Sequence, residues 1–378
     1  MNCIINKLEY DLSEIEKLGW NQYVDKFMLE FPQKLYKYFP NTTTNILDTN
    51  GNLDKQVNFS QISLIENTIF MQNPEEFDDP FDTNIFTDNV TFISLRLKYY
   101  LTKANIKFND FDTIENLTYL LSIELHKLFS PDLAWFTYKE KLKFLFKAEN
   151  DDSSDSLNIQ LFIEIMVAKL QNNAEWDSAI WYAINHESNH MLNPKKAFRI
   201  SSFTTSPYLV RMWSTYANYH KGFCIEYDSS HYNPQDKVNN TIYHNTLPAI
   251  YTDDIVDTSE MQSRYLSTPG YTEQDMWDSF FHGLLRKSTL WKDQNEWRYI
   301  LPSSRTRDIE KDKQGFSTPY LKISKVYIGK KMPMRQRKQL IELCNKLNIP
   351  YVGVTNNPKV YEMVDCQKNC EECINENT

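Results

Sequence analysis

Glu296 and Arg298 stand two residues apart in the run Glu296 to Leu301, whose alternation predicts a strand with Glu296, Arg298 and Ile300 on one face and Trp297, Tyr299 and Leu301 on the other. Side chains two apart on a strand lie roughly 6–7 Å from each other. A guanidinium at that distance orients a carboxylate and keeps it ionised near neutral pH; an ordinary ion pair along a strand face has the same spacing. Lys287, Trp291 and Trp213 accompany the pair. Trp213 and Tyr216, spaced i and i+3, read first as core aromatics, with the Tyr216 hydroxyl able to reach a cleft. Asp79, in PEEFDDPFD, is both a turn former and a candidate ligand-facing acid.

Other constellations are less specific. His186 and His190 share one helix face at i and i+4, as zinc sites require, yet no third ligand is near in sequence. Cys366, Cys370 and Cys373 have the cysteine spacing of radical iron–sulfur enzymes, but lie in a polar tail without an obvious fourth zinc ligand, so ordinary thiols are expected and no metal. His220 and Lys221 sit at an expected helix end, where the dipole favours cations. The chain has no G-x-S-x-G, G-x-G-x-x-G or P-loop sequence.

The elements that must hold these residues are led by Arg199 to Asp228. Ile200 to Thr204 reads as a strand closed by Ser206-Pro207. A helix is expected next, with Ser206 as N-cap and Pro207 in its first turn, and Leu209, Met212, Trp213 and Tyr216 on one face. Gly222 sits where a helix stops in the left-handed conformation, and Phe223, Ile225 and Tyr227 then alternate as a strand. Leu35, Lys37 and Phe39 alternate with Tyr36 and Tyr38 in a strand ending at Pro40, and Thr68 to Met71 is a further strand. Met1 to Phe31 reads as one or two helices. Helical periodicity dominates Leu95 to Met191, and Ser324 to Val354 reads as a strand-helix-strand crossover. The expected fold is α+β, a mixed sheet core with a large all-helical insertion. The expected layout is 1–94 for the N-terminal helices and first strands, 95–198 for the insertion, 199–365 for the rest of the core, and 366–378 for a tail.

Composition excludes broad classes. A net charge of −9 opposes general nucleic-acid affinity, which rests on Lys and Arg neutralising phosphates, although a local basic groove is compatible with it. The basic run Lys330 to Lys338 reads as a solvated face. Only 8 Gly among 378 residues make a glycine-rich phosphate loop implausible. No apolar run approaches the roughly 18 residues of a spanning helix, so no membrane partner and a cytoplasmic location are expected.

The run Met212 to Asp228, MWSTYANYHKGFCIEYD, resembles the signature of the bacterial domain-of-unknown-function family 2971. Three segments agree in order: KLYKYFP at Lys34, FDDPFD at Phe77, where Asp78 stands in place of the family's usual Asn, and KSTLWKDQNEWRYIL at Lys287. A looser resemblance is to ADP-ribosyltransferases, through an opening strand with Tyr36, Lys37 and Tyr38, a middle strand with Ser201, Ser202 and Thr204, and a late strand with Glu. That resemblance implies NAD as substrate. Glu296 would hold the ribose with Arg298 orienting it, Tyr38 or Trp213 would stack the nicotinamide, and Lys37 would meet phosphate. Asp79, Ser202, Tyr216 and Lys287 would complete the nucleotide site. It implies a small nucleotide ligand, a protein or nucleic-acid target, and a role as toxin or phage-defence effector. The alternative is a non-catalytic nucleotide- or protein-binding module of a defence system. Lys37, Asp79, Lys287 and Glu296 separate these: in one site they line a single cleft, whereas groups roughly 15 Å or more apart exceed what one small ligand bridges.

Overall fold

The alternation of KLYKYF, FCIEYD and EWRYIL decides the architecture, because each buries one set of side chains on either face of a single sheet. The protein is described from a computed structural model over residues 2–47, 53–79, 81–83, 85–148, 154–189, 194–230, 237–267, 273–303 and 315–367. The fold is α+β, with a mixed sheet and a separate helical unit. The chain divides into two compact units, one of residues 1–83, 195–253 and 285–378, the other of 84–194 and 254–284.

The main sheet of the first unit has ten strands among the described residues: β1 Lys34–Phe39, β2 Thr68–Gln72, β3 Phe198–Thr204, β4 Phe223–Asp228, β5 Thr246–Pro248, β6 Glu296–Pro302, β7 Gly315–Pro319, β8 Lys322–Ile328, β9 Tyr351–Asn356 and β10 Met363–Asp365. Their order is β5-β6-β3-β1-β4-β8-β9-β10, with β7 and β2 branching from β3. The pairings are antiparallel except β8 with β9, which the helix Met334–Leu347 joins as a parallel crossover. Leu35, Phe39, Phe223, Ile225, Trp297 and Tyr299 fill the larger core on one face. Tyr36, Tyr38, Cys224, Tyr327 and Trp213 form a smaller core on the other.

One edge of β3 serves two strands. Thr204 pairs with Tyr36 of β1, and Ile200 pairs with Gln72 of β2. Ser201, Ser202 and Phe203 lie between those registers, so the sheet opens over about 10 Å at roughly 3.3 Å per residue. Gly222, at the head of β4, must be glycine because a Cβ there would sit 1.9 Å from the Phe39 carbonyl oxygen.

Three local expectations are corrected. Met1 to Phe31 is not purely helical: Asn2–Ile5 and Leu8–Asp11 pair as a hairpin before the helix Trp20–Met28, since two left-handed residues, Asn6 and Lys7, turn the chain back. The helix after β3 starts at Val210 rather than Pro207, because Ser206 Oγ accepts from Tyr208 N in a local turn. It ends at Thr215, and the left-handed residues are Asn218, Tyr219 and His220 instead of Gly222.

The second unit, taken by itself, carries, among the described residues, five helices between Asn89 and Asn189 and the helices Ser259–Ser267 and Glu273–Leu285. Its core includes Phe92, Leu97, Leu121, Phe162 and Ile180. Arg96, Tyr100 and Glu187 form a buried cluster within it, with Arg96 Nε 2.9 Å from Glu187 Oε2. It begins at 84 rather than 95, and it gains residues 254–284, which a single insertion over 95–198 does not contain. The reason is local: Ile85–Phe86 pairs in parallel with Val256–Asp257, tying the second excursion to the first. Among the described residues no helix is long and apolar enough to cross a membrane.

Candidate active site

The opening in the sheet is the candidate site. A cavity of about 190 Å³ lies there, lined by residues of β1, β2, β3 and β6, the Phe77 to Asp82 turn, Tyr216 and the segment from Lys287 to Gln294. Lys37, Asp79, Lys287 and Glu296 all line it, so four segments far apart in sequence reach one small space.

Glu296 opens β6 opposite Thr204, which places its carboxylate on the face away from the larger core. Lys287 arrives from a two-residue strand, Arg286–Lys287, paired with Ile250–Tyr251. A 3-10 turn, Thr289–Gln294, joins Lys287 to Glu296, and left-handed Asn295 ends it. Tyr251 fixes the strand start, its hydroxyl accepting the Glu296 N–H at 2.7 Å. The turn at Asp79 is closed by Phe81 N–H donating to Asp79 Oδ1 at 2.9 Å and Asp82 N–H donating to the Asp79 carbonyl at 3.0 Å.

Beneath the cavity, two acids and two bases alternate in a closed ring. Lys287 Nζ donates to Glu296 Oε2 at 2.7 Å and to Asp82 Oδ2 at 3.0 Å. Arg298 Nε donates to Glu296 Oε1 at 2.8 Å, and Arg298 Nη2 donates to Asp82 Oδ1. All four side chains are buried. Burial alone would raise the Glu296 carboxyl, but Arg298 and Lys287 override it and hold it at about 2. Burial would likewise lower Lys287; its two carboxylate partners push it above the ordinary lysine range instead. Glu296 is thus held as the carboxylate near neutral pH. Each of its oxygens accepts one of these bonds, and the Ser202 side chain approaches the same carboxylate.

Lys37 leaves β1 on the larger-core face and reaches into the opening, where its ammonium donates to the Ser202 carbonyl at 3.1 Å and lies 5.3 Å over the Phe203 ring. The side chain keeps some solvent contact through the cavity, while protein packed around the ammonium lowers its pKa to about 8, Glu296 pulling the other way. Tyr216 stands at the mouth, 36% exposed; burial raises its phenol, and Lys287 opposes that. Gln294 is buried beside it, and its amide nitrogen approaches the phenol without hydrogen-bond geometry. Asp79 Oδ2 accepts from Trp291 Nε1 at 2.9 Å, and Arg211 caps the indole with its guanidinium carbon 3.9 Å from the ring centre.

The structure thus brings Lys37, Tyr38, Asp79, Ser202, Tyr216, Lys287 and Glu296 to one cavity, and leaves two expected residues outside its lining. Trp213 is fully buried, with Nε1 donating to the Pro207 carbonyl at 2.8 Å and its ring edge-on to Tyr38, so it stacks on protein and not on a ligand. Arg298 is fully buried behind Glu296 and acts by positioning it. Tyr38 borders the cavity, but its hydroxyl is spent on the Ser206 carbonyl at 2.9 Å. Lys37 meets a backbone carbonyl in place of a phosphate. Asp82 was missed by sequence reasoning. Its signal was charge balance, since Lys287 and Arg298 together outnumber the single acid Glu296. Among the described residues no group of three or more potential metal ligands occurs; His190, Cys370 and Cys373 lie outside them.

Residues 212–299 match the family described as "Protein of unknown function (DUF2971)". No curated protein and no solved structure matches the chain. The DUF2971 segment contains Tyr216, Lys287, Trp291, Glu296 and Arg298 of the site. Lys37, the Asp79 to Asp82 turn and Ser202 come from outside it. The cavity is therefore completed by parts of the chain beyond the DUF2971 match.

Proposed function

We propose that this cavity receives the nicotinamide–ribose end of NAD and that the protein breaks the bond between ribose C1′ and the pyridinium nitrogen, transferring ADP-ribose to a protein, a nucleic acid or water. The observation that carries the reading is the meeting of Lys37, Ser202, Tyr216, Lys287 and Glu296 at one cavity, with the Glu296 carboxyl held ionised by Arg298 and Lys287. In that reaction the electron pair of the broken bond goes to the ring nitrogen and neutral nicotinamide leaves. Positive charge collects on the ribose as an oxocarbenium ion, and the nucleophile bonds at C1′ and gives up its proton. A fixed carboxylate beside the ribose stabilises that charge without reorganising. Glu296 supplies it, held in orientation by Lys287 and Arg298. The Tyr216 ring flanks the leaving nicotinamide. At about 190 Å³ the cavity is smaller than the roughly 300–1,000 Å³ of drug-sized sites, so the adenylate half extends along the open mouth. On this reading the protein acts in the cytoplasm as a toxin or phage-defence effector, by draining or redirecting NAD.

A second reading, a non-catalytic nucleotide- or protein-binding module, is favoured by one observation: both Glu296 oxygens already hold cations and Lys37 holds a backbone carbonyl. Incubating the purified protein with NAD and measuring free nicotinamide separates the two. Release that Glu296→Gln abolishes supports the enzyme. No release, with a rise in melting temperature on adding NAD, supports the binding module.

A further inference from the structure

A second cavity, of about 520 Å³, lies away from the first, lined among others by His220, Lys330, Lys331, Lys359, Tyr361 and Glu362. It is built on the backbone. Gly329 N–H donates to the Gly222 carbonyl and Lys331 N–H to the His220 carbonyl, both at 2.9 Å, which fixes the two lysines beside the left-handed turn Asn218 to His220. A Cβ on Gly329 would lie 2.3 Å from the His220 oxygen, so this close approach also requires glycine. Lys359 enters from the opposite loop, where its N–H donates to Asn357 Oδ1 at 2.9 Å and Asn357 N–H donates to the Glu362 carbonyl at 2.9 Å.

Three lysines therefore converge on one concave space in a chain of net charge −9, and among the described residues none of them has an ion-pair partner. The single acid of the lining, Glu362, accepts from Asn357 Nδ2 at 3.1 Å. Like charges gathered this way repel one another, and an anion between them turns that repulsion into attraction. Tyr361 adds a fully exposed aromatic ring at the same rim. Lysine charge beside an open ring is the combination that holds phosphate and base together, and the volume falls within the range of small-ligand sites.

We propose that this cavity is a phosphate-ester site that takes a nucleotide, free or at the end of a single strand, with Lys330, Lys331 and Lys359 on phosphate and Tyr361 against the base. The proposal is independent of what the first cavity binds. The test titrates the full chain by calorimetry with ADP and, separately, with a short single-stranded DNA carrying a 5′ phosphate, at low and at physiological salt. Lys330→Gln/Lys331→Gln should weaken binding roughly tenfold or more, as expected when charge-assisted hydrogen bonds to phosphate are lost. Both lysines are exposed, so the variant keeps its fold. Tyr361→Ala should weaken it several-fold. Arg335→Gln/Lys338→Gln, which removes the same charge outside the cavity lining, should leave it unchanged. Tighter ADP identifies a free nucleotide; a tighter strand with steep salt dependence identifies a polynucleotide. The proposal fails if the lysine pair can be removed without loss, if the control pair matters as much, or if neither probe binds below millimolar concentration at low salt.

Discussion

Asp82→Asn tests the buried ring most directly. Asp82 neutralises half of the charge on Lys287 and Arg298, whose side chains are 4% and 0% exposed. Asparagine keeps the shape and one acceptor but leaves two cations facing the single carboxylate of Glu296, in a largely buried place. Breaking a buried ion pair by removing one partner costs roughly 3–5 kcal/mol. For a unit of this size each kcal/mol lowers the midpoint by about 2–4 °C, so the loss should be on the order of 10 °C. The cause is uncompensated charge and not lost contact, which a second change can show: Asp82→Asn/Lys287→Met leaves one cation on one anion and should recover roughly half of the loss. Thermal and urea unfolding followed by the fluorescence of buried Trp213 and Trp297 reads both. A single variant within about 1 kcal/mol of the parent, or a double variant less stable than the single, would refute the reasoning.

Three further outcomes are expected. Glu296 is held at about 2 against an ordinary 4.5, so its contribution is present above the ordinary value and is lost as pH falls through this window; wild type should lose more stability than Glu296→Gln across that window in urea titrations, and an equal loss would deny the shift. Lys37 gives the same sign of slope in a higher window: its pKa is lowered from 10.5 to about 8, so the unfolded chain binds more protons between those values and stability rises with pH there. Lys37→Met should flatten that rise, and an unchanged slope would deny that its ammonium is desolvated. Trp213→Ala should cost roughly 3–5 kcal/mol in chemical denaturation, as for large aromatic losses from a core.

The strand alternations were legible because a period of two is visible in single runs: the faces of Leu35, Lys37 and Phe39 and of Glu296, Arg298 and Ile300 are those the sequence predicts. So was the strand-helix-strand order around Trp213, whose burial follows from residue type alone. The opening in the sheet was not legible, since it depends on β1 and β2 claiming different ends of one β3 edge, and nothing local in Ser201 to Phe203 encodes that. Asp82 was hidden for a related reason. Its partners lie more than two hundred positions away, and in the sequence it looks like one more turn-forming acid. The hairpin at Asn2 to Asp11 escaped because its turn is made by Asn6 and Lys7, and a left-handed lysine has no sequence signal.

Because the first unit is assembled from three separated stretches, the order of synthesis sets when the site can exist. β1 and the Asp79 turn leave the ribosome first, without β3, β4 or β6 to pair with. The helices from Asn89 onward then emerge and can fold among themselves through contacts close in sequence. Only after Lys287 and Arg298 appear can both carboxylates of the ring be neutralised, and until Lys287 emerges Asp82 has neither of its cationic partners. The charged ring thus acts as a clock on the nascent chain, with the cavity assembled only once most of the protein has been made.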